Sequence, residues 1–303
     1  MATTPPNIDP RAAVLFQTDK RLRRRRIVNR LMEALGTLAS LLAVSVLVIV
    51  VASVVKNGWS AFSVDFFTTS PSSSGFGTAE GGILPSIVGS FVLVLIATLV
   101  ALPIGVMVAI FVSELAPRKL ADTIRLALDV INGLPTIVTG IFIFSVLVLA
   151  QGQSAIAGGL ALAIIGLPLV ARSAQEVLRL VPSSYREAGL ALGAPRWRTI
   201  LGVILPTSLG GILTGTTLAI ARVAGETAPL LFTCSLAITT SVTWDPREPV
   251  QSMPLTIFTS AEQPDPSFHA QAWATGAVLL GFVLIVSLIS KFFLARSRRK
   301  LAR

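Results

Sequence analysis

The hydrophobic positions of this chain are gathered into six long runs that are separated by polar segments. The runs at 35–55 and 83–113 carry no charged residue at all. A helix crosses the hydrocarbon core of a bilayer with about 20 residues. The pattern therefore predicts an all-α, polytopic membrane protein with six transmembrane helices, at about 34–55, 83–113, 126–150, 154–171, 205–240 and 272–294.

The second and fifth runs are longer than one straight crossing requires. Pro103 and Gly105 interrupt the second run, and several glycines together with Pro229 interrupt the fifth. Proline bends or breaks a helix, and irregular backbone at membrane depth needs protein or a water-filled cavity around it. We expect both runs to be kinked, or to continue into an interfacial or re-entrant piece. The Gly-Leu-Pro triplets at 133–135 and 166–168 predict kinks with close packing, and an unwound segment is the alternative there.

Composition and charge support a membrane protein and indicate its orientation. Hydrophobic residues make up 53% of the 303 residues and charged residues 13%, with a mean hydropathy of +0.78, which is too little polar surface for a soluble globule. The net charge of +10 arises from basic runs that flank the spans without interleaved aromatic residues, so it indicates topology and not nucleic-acid binding. Of the 25 lysines and arginines, only Lys56, Arg222 and Arg247 fall outside the segments assigned to the cytoplasmic side.

This asymmetry predicts that both termini are cytoplasmic. The chain then divides into a basic arm at 1–33, a transmembrane domain at 34–295 and a basic tail at 296–303. The loops on the opposite face, 56–82 and 241–271, are too short for an enzymatic domain and could form short helices that receive a partner. These loops carry six acidic residues, which are Asp65, Glu80, Asp245, Glu248, Glu262 and Asp265.

The chain offers few groups for catalysis or for metal binding. Cys234 and His269 are its only cysteine and histidine, which excludes an internal disulfide framework and a histidine-based metal site. We find no nucleophile–base pair and no G-x-x-x-x-G-K-[ST] phosphate loop. The sequence therefore predicts a non-catalytic chain without a cofactor, and an intramembrane enzyme is the weakest alternative.

The cytoplasmic loop at 172–206 contains a string rich in small residues, EAGLALGAPRWRTILGVILP, at 187–206. Ser184 and Glu187 have the spacing of a capping box, in which each side chain binds the other's backbone N–H at a helix start. Gly193 suits the end of that helix, and Pro195 suits the first turn of the next one. We expect a helix of two turns, a tight bend, and a second helix that runs into the fifth span.

Small side chains keep this short helix slim. A partner backbone or groove could approach closely along Ala188, Gly189, Ala191 and Gly193, while Glu187 clasps the start of the helix. The alternative is a capped amphipathic loop that lies on the membrane surface with Trp197 at the interface.

Arg222 and Glu226 are charged residues inside the fifth run. A charge at the bilayer centre costs about 2.5–3.5 kcal/mol on insertion scales, and such residues usually line a pathway. Their spacing of four places them on one face of a helix, where they can pair. A guanidinium also matches an oxyanion, so we hypothesise that Glu226 neutralises Arg222 until an anion competes for it. A structural ion pair that staples a kinked helix is the alternative.

Other charges lie close to the ends of the spans. Arg172 ends the fourth span and is either an anchor on the cytoplasmic side or a second residue of the pathway. Glu114, Asp129 and Glu176 are predicted to be solvated.

The loop resembles the EAA motif of ABC-importer permeases, whose pattern is E-A-A, three residues, G, nine residues, then I-x-L-P. Gly189 replaces the second alanine here, and Val203 replaces the isoleucine. The residues that match are Glu187, Ala188, Gly193, Leu205 and Pro206. The resemblance implies a type I ABC-importer permease (MetI-like) fold, with this loop receiving the force of a separate ATPase.

A second string, GETAPLLFT at 225–233, resembles the A-type permease subunits of phosphate-specific ABC importers. That resemblance implies half of a transmembrane pathway for inorganic phosphate in a bacterial inner membrane, with Arg172, Arg222 and Glu226 along the path. It further implies a C-type permease subunit, two ATP-binding subunits and an external phosphate-binding protein as partners, in membrane lipid and without nucleic acid. An importer for sulfate or another oxyanion, and a stand-alone secondary transporter, are the alternatives.

Overall fold

The computed structural model describes residues 10–71, 81–234 and 241–301, with side chains described for 22–71, 81–234, 241–289, 291 and 292. Glu80, the end of the fifth predicted span at 235–240, and the outermost parts of the predicted arm and tail (1–9 and 302–303) lie outside the described residues. The chain divides into two compact units, Met1–Ser53 and Val54–Arg303.

In the first unit the described residues form one helix, α1 (Pro10–Gly58), whose last residues belong to the second unit. The helix begins inside the predicted basic arm and continues through the first predicted span without a break. The stretch Leu22–Ala61 is long and apolar enough to cross a membrane.

The second unit is also helical in its described residues. After α1 the helices are α2 (Val64–Thr68), α3 (Leu84–Ile110), α4 (Arg118–Gly133), α5 (Thr136–Ile143), α6 (Leu149–Gln151), α7 (Ala155–Arg179), α8 (Ser183–Ala191), α9 (Arg196–Thr199), α10 (Leu205–Ala224), α11 (Leu230–Thr233), α12 (Met253–Ala261) and α13 (Pro266–Leu301). Three π-helical turns lengthen or join these helices: Phe111–Leu115 follows α3, Phe144–Val148 joins α5 to α6, and Ile200–Ile204 joins α9 to α10.

Five helical stretches among the described residues are long and apolar enough to span a bilayer. They are Leu22–Ala61, Leu84–Leu115, Ala155–Arg179, Arg196–Ala224 and Pro266–Ile289. A sixth is obtained when Arg118–Gly133 and Thr136–Gln151 are counted as one broken span. The predicted all-α architecture is therefore confirmed, and the six spans predicted from hydropathy correspond to five spans, or six with the broken one, among the described residues.

The third predicted span, 126–150, differs in detail from the single crossing that its hydropathy suggests. Its two helices are bent by 95° at Leu134 and Pro135. Proline lacks a backbone N–H and drives the preceding residue out of the helical region, and Leu134 has the extended values φ −67°, ψ 137°. In contrast, α3 continues through Pro103 and α7 through Pro168.

Two clusters of buried side chains form most of the core of the second unit. The larger cluster joins α3, α7, the end of α10, α11 and α12 through residues such as Leu93, Leu162 and Leu230. The smaller one lies under the predicted cytoplasmic loop and includes Ala109 of α3, Leu178 of α7 and Ile204 of the π turn before α10. The loop therefore rests on a packed apolar base.

Candidate functional site

The loop helix α8 ends in a Schellman motif, as the glycine at its end predicts. Gly193 has φ +73°, a value that glycine adopts without a steric penalty. The Gly193 N–H donates to the Leu190 carbonyl at 2.9 Å, and the Ala194 N–H donates to the Gly189 carbonyl at 3.0 Å. These two bonds satisfy carbonyls that would otherwise lack partners at the helix end. Pro195 directly precedes α9, and its carbonyl accepts the Arg198 N–H at 3.0 Å.

The predicted capping box is wrong. The N-cap of α8 is Pro182, with ψ 145°, and no side chain caps this helix. Ser184 is already inside the first turn, so its hydroxyl is not in the N-cap position that the motif requires. Glu187 lies in the second turn and is exposed. It therefore does not clasp the helix start, and its carboxylate is accessible to a partner.

Gly189 allows two segments of this chain to pack closely. A Cβ atom placed on Gly189 would lie 2.6 Å from Cγ2 and 3.1 Å from Cβ of Thr199. Thr199 is buried at the end of α9. The space that the small residue leaves is thus filled by α9, whereas the sequence had suggested that a partner fills it.

The outward side of α8 is the surface that remains accessible. Glu187, Ala188 and Ala191 are exposed, as is Gly193 at the bend. Leu192 is 87% exposed, and Leu190 is also exposed. An accessible carboxylate beside exposed apolar side chains, on a helix that ends in a Schellman motif, is suited to bind another protein.

Sequence reasoning missed a partly buried ion pair behind α8, in which the Arg186 side chain is 30% exposed. Glu114, in the π turn after α3, was expected to be solvated, but its side chain is only 6% exposed. Arg186 of α8 donates from Nε to Glu114 Oε2 at 2.9 Å and from Nη2 to Oε1 at 2.5 Å. These hydrogen bonds raise the pKa of Arg186 above its ordinary value, although burial opposes the rise. The two residues are separated by 72 positions, so no local pattern reveals the pair.

Arg222 and Glu226 are near each other, as the sequence suggests, but not on one continuous helix. The α10 helix ends at Ala224, and Glu226 follows the C-cap residue Gly225. Arg222 Nε lies 3.9 Å from Glu226 Oε1, which is too long for a hydrogen bond. The Arg222 side chain is 57% exposed and that of Glu226 is 18% exposed. Among the described residues, this contact is a loose ion pair that leaves the donors of Arg222 accessible.

The register of α10 against α7 shows the level of Arg222. Gly211 packs against Val177, Gly215 against Ser173, and Val223 against Gly166, so the helices are antiparallel. Arg222 therefore lies level with the middle of α7, far from the loop at 183–199. After α10 ends at Ala224, the chain is non-helical until α11 begins at Leu230. The Thr233 carbonyl in α11 accepts a hydrogen bond from the N–H of Ser154, which is the N-cap residue of α7.

Arg172 does not join this pair. It lies on α7, closer to the loop at 183–199 than Gly166 is, and its guanidinium pairs with Asp129 of α4. Both side chains are about half exposed. Asp129 was expected to be solvated, and about half of its side chain is exposed, but it also pairs with Arg172, which is 43 positions away in the chain. The structure thus holds two arginines at different levels, each beside its own carboxylate.

No group of three or more His, Cys, Asp or Glu side chains comes together among the residues that the structure describes, and no metal site is assigned. The candidate site therefore has two parts: the outward face of α8, and the arginine–carboxylate pairs within the helices.

Comparison with known proteins identifies the family. Residues 101–300 match the family model described as binding-protein-dependent transport system inner membrane component. The phosphate transport system permease protein PstA of Yersinia pestis is 37% identical over 280 residues, covering 90% of this chain and 92% of that protein. PstA of Haemophilus influenzae is 34% identical and covers 89% and 94%. PstA 1 of Mycobacterium tuberculosis is 35% identical and covers 73% of each chain.

A solved structure has the same fold. One chain of the MetNI methionine ABC transporter, in inward-facing conformations, superposes with a TM-score of 0.56 at 17% sequence identity. The match covers 71% of this chain and 94% of that one. The predicted MetI-like fold is thereby confirmed. The chain belongs to the family of binding-protein-dependent transport system inner membrane components and, within it, to the PstA permease proteins.

Proposed function

We propose that this chain forms one half of the transmembrane pathway of an ABC importer for inorganic phosphate, in a bacterial inner membrane with both termini cytoplasmic. The observation that carries the substrate assignment is the 37% identity to a phosphate transport system permease over 90% of the chain. The orientation rests on the concentration of basic residues in one set of loops. The predicted transmembrane domain, 34–295, is retained in this proposal.

Arg222 is the proposed anion-binding residue of the pathway. It lies where α10 stops midway along α7, and non-helical backbone at membrane depth is tolerated where it is buried in protein or lines a cavity. Its ion pair with Glu226 is loose, because the distance of 3.9 Å between Nε and Oε1 is too long for a hydrogen bond. Phosphate can accept two parallel hydrogen bonds from a guanidinium, so it can displace the carboxylate. Glu226 then keeps the site neutral between transport events.

Arg172 is the proposed second residue of the pathway. Its level on α7 is nearer the cytoplasmic loop than that of Arg222, and its partner Asp129 gives it the same arginine–carboxylate chemistry. A phosphate ion leaving Arg222 would thus meet a second guanidinium on its way inward. Half of the Arg172 side chain is exposed, which leaves donors available for this exchange.

The loop at 172–206 is the proposed contact with a separate ATPase. Glu187, Ala188 and Ala191 form its accessible face, and Gly193 ends the helix that presents them. Gly189 acts from behind, by letting α8 pack on α9. We infer that two ATP-binding subunits, a C-type permease subunit and an external phosphate-binding protein complete the importer, and that ATP is hydrolysed on the partner and not on this chain.

Reconstitution of the copurified complex in proteoliposomes tests this function. Vanadate-sensitive uptake of radiolabelled phosphate is expected, and it should be lost in Arg222→Ala and in Arg222→Lys, since lysine lacks the bidentate fork. Arg118→Ala removes the same charge from the exposed start of α4, away from the proposed pathway, and serves as the matched control.

Three outcomes would contradict the proposal in different ways. Wild-type uptake in both Arg222 variants, with intact assembly, would exclude the role of Arg222. Competition by sulfate but not by unlabelled phosphate would reassign the substrate. Phosphate uptake by this chain alone, without ATP, would indicate a secondary transporter.

A further inference from the structure

The partly buried ion pair between Glu114 and Arg186 joins α8 and the adjoining end of α7 to an element that is 72 positions away in the sequence. Arg186 belongs to α8, and Glu114 belongs to the π turn that ends the span beginning with α3. The same guanidinium donates from Nη1 to the Val181 carbonyl at 2.8 Å and from Nη2 to the Leu178 carbonyl at 3.1 Å. Leu178 and Val181 belong to the end of α7 and the turn after it.

The geometry makes this connection stiff. A guanidinium that forms two parallel bonds with a carboxylate fixes orientation as well as distance. The Leu178 carbonyl lies in the last turn of α7 and the Val181 carbonyl in the turn after it, so these two bonds tie Arg186 to the end of α7. Behind the pair, Ala109, Ala174 and Leu178 are fully buried in the smaller core cluster. A displacement of α8 would therefore act on α3 and α7 directly, and not only through the turn at 180–182.

The π turn at Phe111–Leu115 positions the carboxylate. Such turns are uncommon and are frequent at functional sites. It is closed by a bond from the Ala116 N–H to the Phe111 carbonyl at 2.7 Å. Arg186 is also the immediate neighbour of Glu187, the accessible carboxylate on the outward face. The α8 helix thus has Glu187 exposed on its outward side and Arg186 bonded to Glu114 on its inner side.

We propose that Glu114 is a positioning residue for ATP-driven transport: it holds Arg186 and thereby couples displacement of α8 to α3. This inference rests on the proposed function, in which an ATPase acts on the loop at 172–206. Glu114 contacts neither substrate nor nucleotide. Its removal should therefore uncouple ATP hydrolysis from uptake without preventing substrate entry.

The test measures ATP hydrolysis and phosphate uptake in the same proteoliposomes of the intact complex. In Glu114→Gln and Arg186→Gln, hydrolysis should persist while phosphate transported per ATP falls by about tenfold, within the range found for residues that carry coupling. The double variant should lose no more than the larger single loss, since both changes break one interaction. Lys119→Gln and Asp122→Asn change exposed side chains of α4, outside the loop at 172–206, and are the matched controls.

A further variant keeps the inference testable where the glutamine variants fail to assemble. Arg186→Lys retains the charge but cannot form the bidentate pair, so we expect it to assemble and to show a partial loss of uptake per ATP. Wild-type uptake per ATP in Arg186→Lys, or in both glutamine variants, overturns the inference. Failure of all three variants to assemble would mean that the pair serves folding only, and it also overturns the inference. Absence of ATP-dependent uptake in the wild-type complex would instead refute the proposed function.

Discussion

Gly189→Ala is the substitution for which the structure makes the sharpest prediction. The added Cβ would lie 2.6 Å from Cγ2 of Thr199, whereas carbon atoms in contact prefer separations of about 3.5–4.0 Å. Thr199 is 5% exposed and β-branched, so it has neither space nor many rotamers with which to yield. The α8 helix must therefore move away from α9.

Two effects of opposite sign determine the magnitude. Overpacking a filled site costs about 1–3 kcal/mol. Alanine is favoured over glycine in a helix by about 1 kcal/mol, which offsets part of that cost. The net loss is about 0–2 kcal/mol, and its upper end corresponds to roughly a 30-fold smaller population of the packed hairpin.

A second substitution should restore the contact. Thr199→Ala removes Cγ2 and Oγ1, which leaves the Thr199 Cβ 3.1 Å from the new atom. The hydroxyl has no hydrogen-bond partner among the described residues, so its removal carries no bonding penalty. We expect Thr199→Ala alone to be nearly neutral and the double variant to recover most of the loss.

Hydrogen exchange of the α8 amides in the permease without its ATPase measures this packing. Exchange should be faster in Gly189→Ala, by up to about 30-fold at the upper limit, and close to wild type in the double variant. Gly202→Ala is the matched control, because a Cβ there meets nothing within 4 Å. Wild-type exchange in Gly189→Ala, or no recovery with Thr199→Ala, would refute the reasoning. A defect that arises only when the ATPase is present would show that the glycine serves the partner's approach instead.

Three further substitutions test other parts of the structure. Glu187→Ala should leave the hydrogen exchange of α8 unchanged, because Pro182 is the N-cap, but it should weaken the stimulation of the ATPase by the permease. Faster exchange of α8 would show that Glu187 does cap the helix. Leu192→Asp should alter stability by less than about 0.5 kcal/mol at this exposed position, yet reduce ATPase retention in copurification, and unchanged retention would contradict the proposed contact surface. Hydrogen bonds from the Ser267 hydroxyl and N–H lower the pKa of Asp265, so the start of α13 should be stabilised above the ordinary carboxyl pKa and lose that contribution as pH falls through the lowered value. Protection factors at the start of α13 should show this pH dependence in wild type and lose it in Asp265→Asn.

Much of the architecture follows from properties of short stretches of the sequence, such as their mean hydropathy. Hydropathy over about 20 residues suffices to find the spans, because the bilayer imposes one length on every crossing. The end of α8 at Gly193 was also predictable, since a left-handed residue after a short helix favours glycine. Proline marks where a break can occur, but α7 continues through the same Gly-Leu-Pro triplet at 166–168, so the break near Leu134 and Pro135 was not decided by the local sequence. The loop motif and the GETAPLLFT string are also short local patterns, so the sequence by itself indicates the family.

The tertiary structure alone decided which residues meet. The start of α8 at Ser183 placed Glu187 on the outside and reversed the roles of Glu187 and Gly189, because a side chain's task depends on where its helix begins and what packs behind it. The pairing of Glu114 with Arg186 and the level of Arg222 beside α7 result from helix packing across tens of residues. Charge and hydropathy specify that such residues need partners, since burying an unpaired charge is costly. Only the packed helices determine which partner each of them finds.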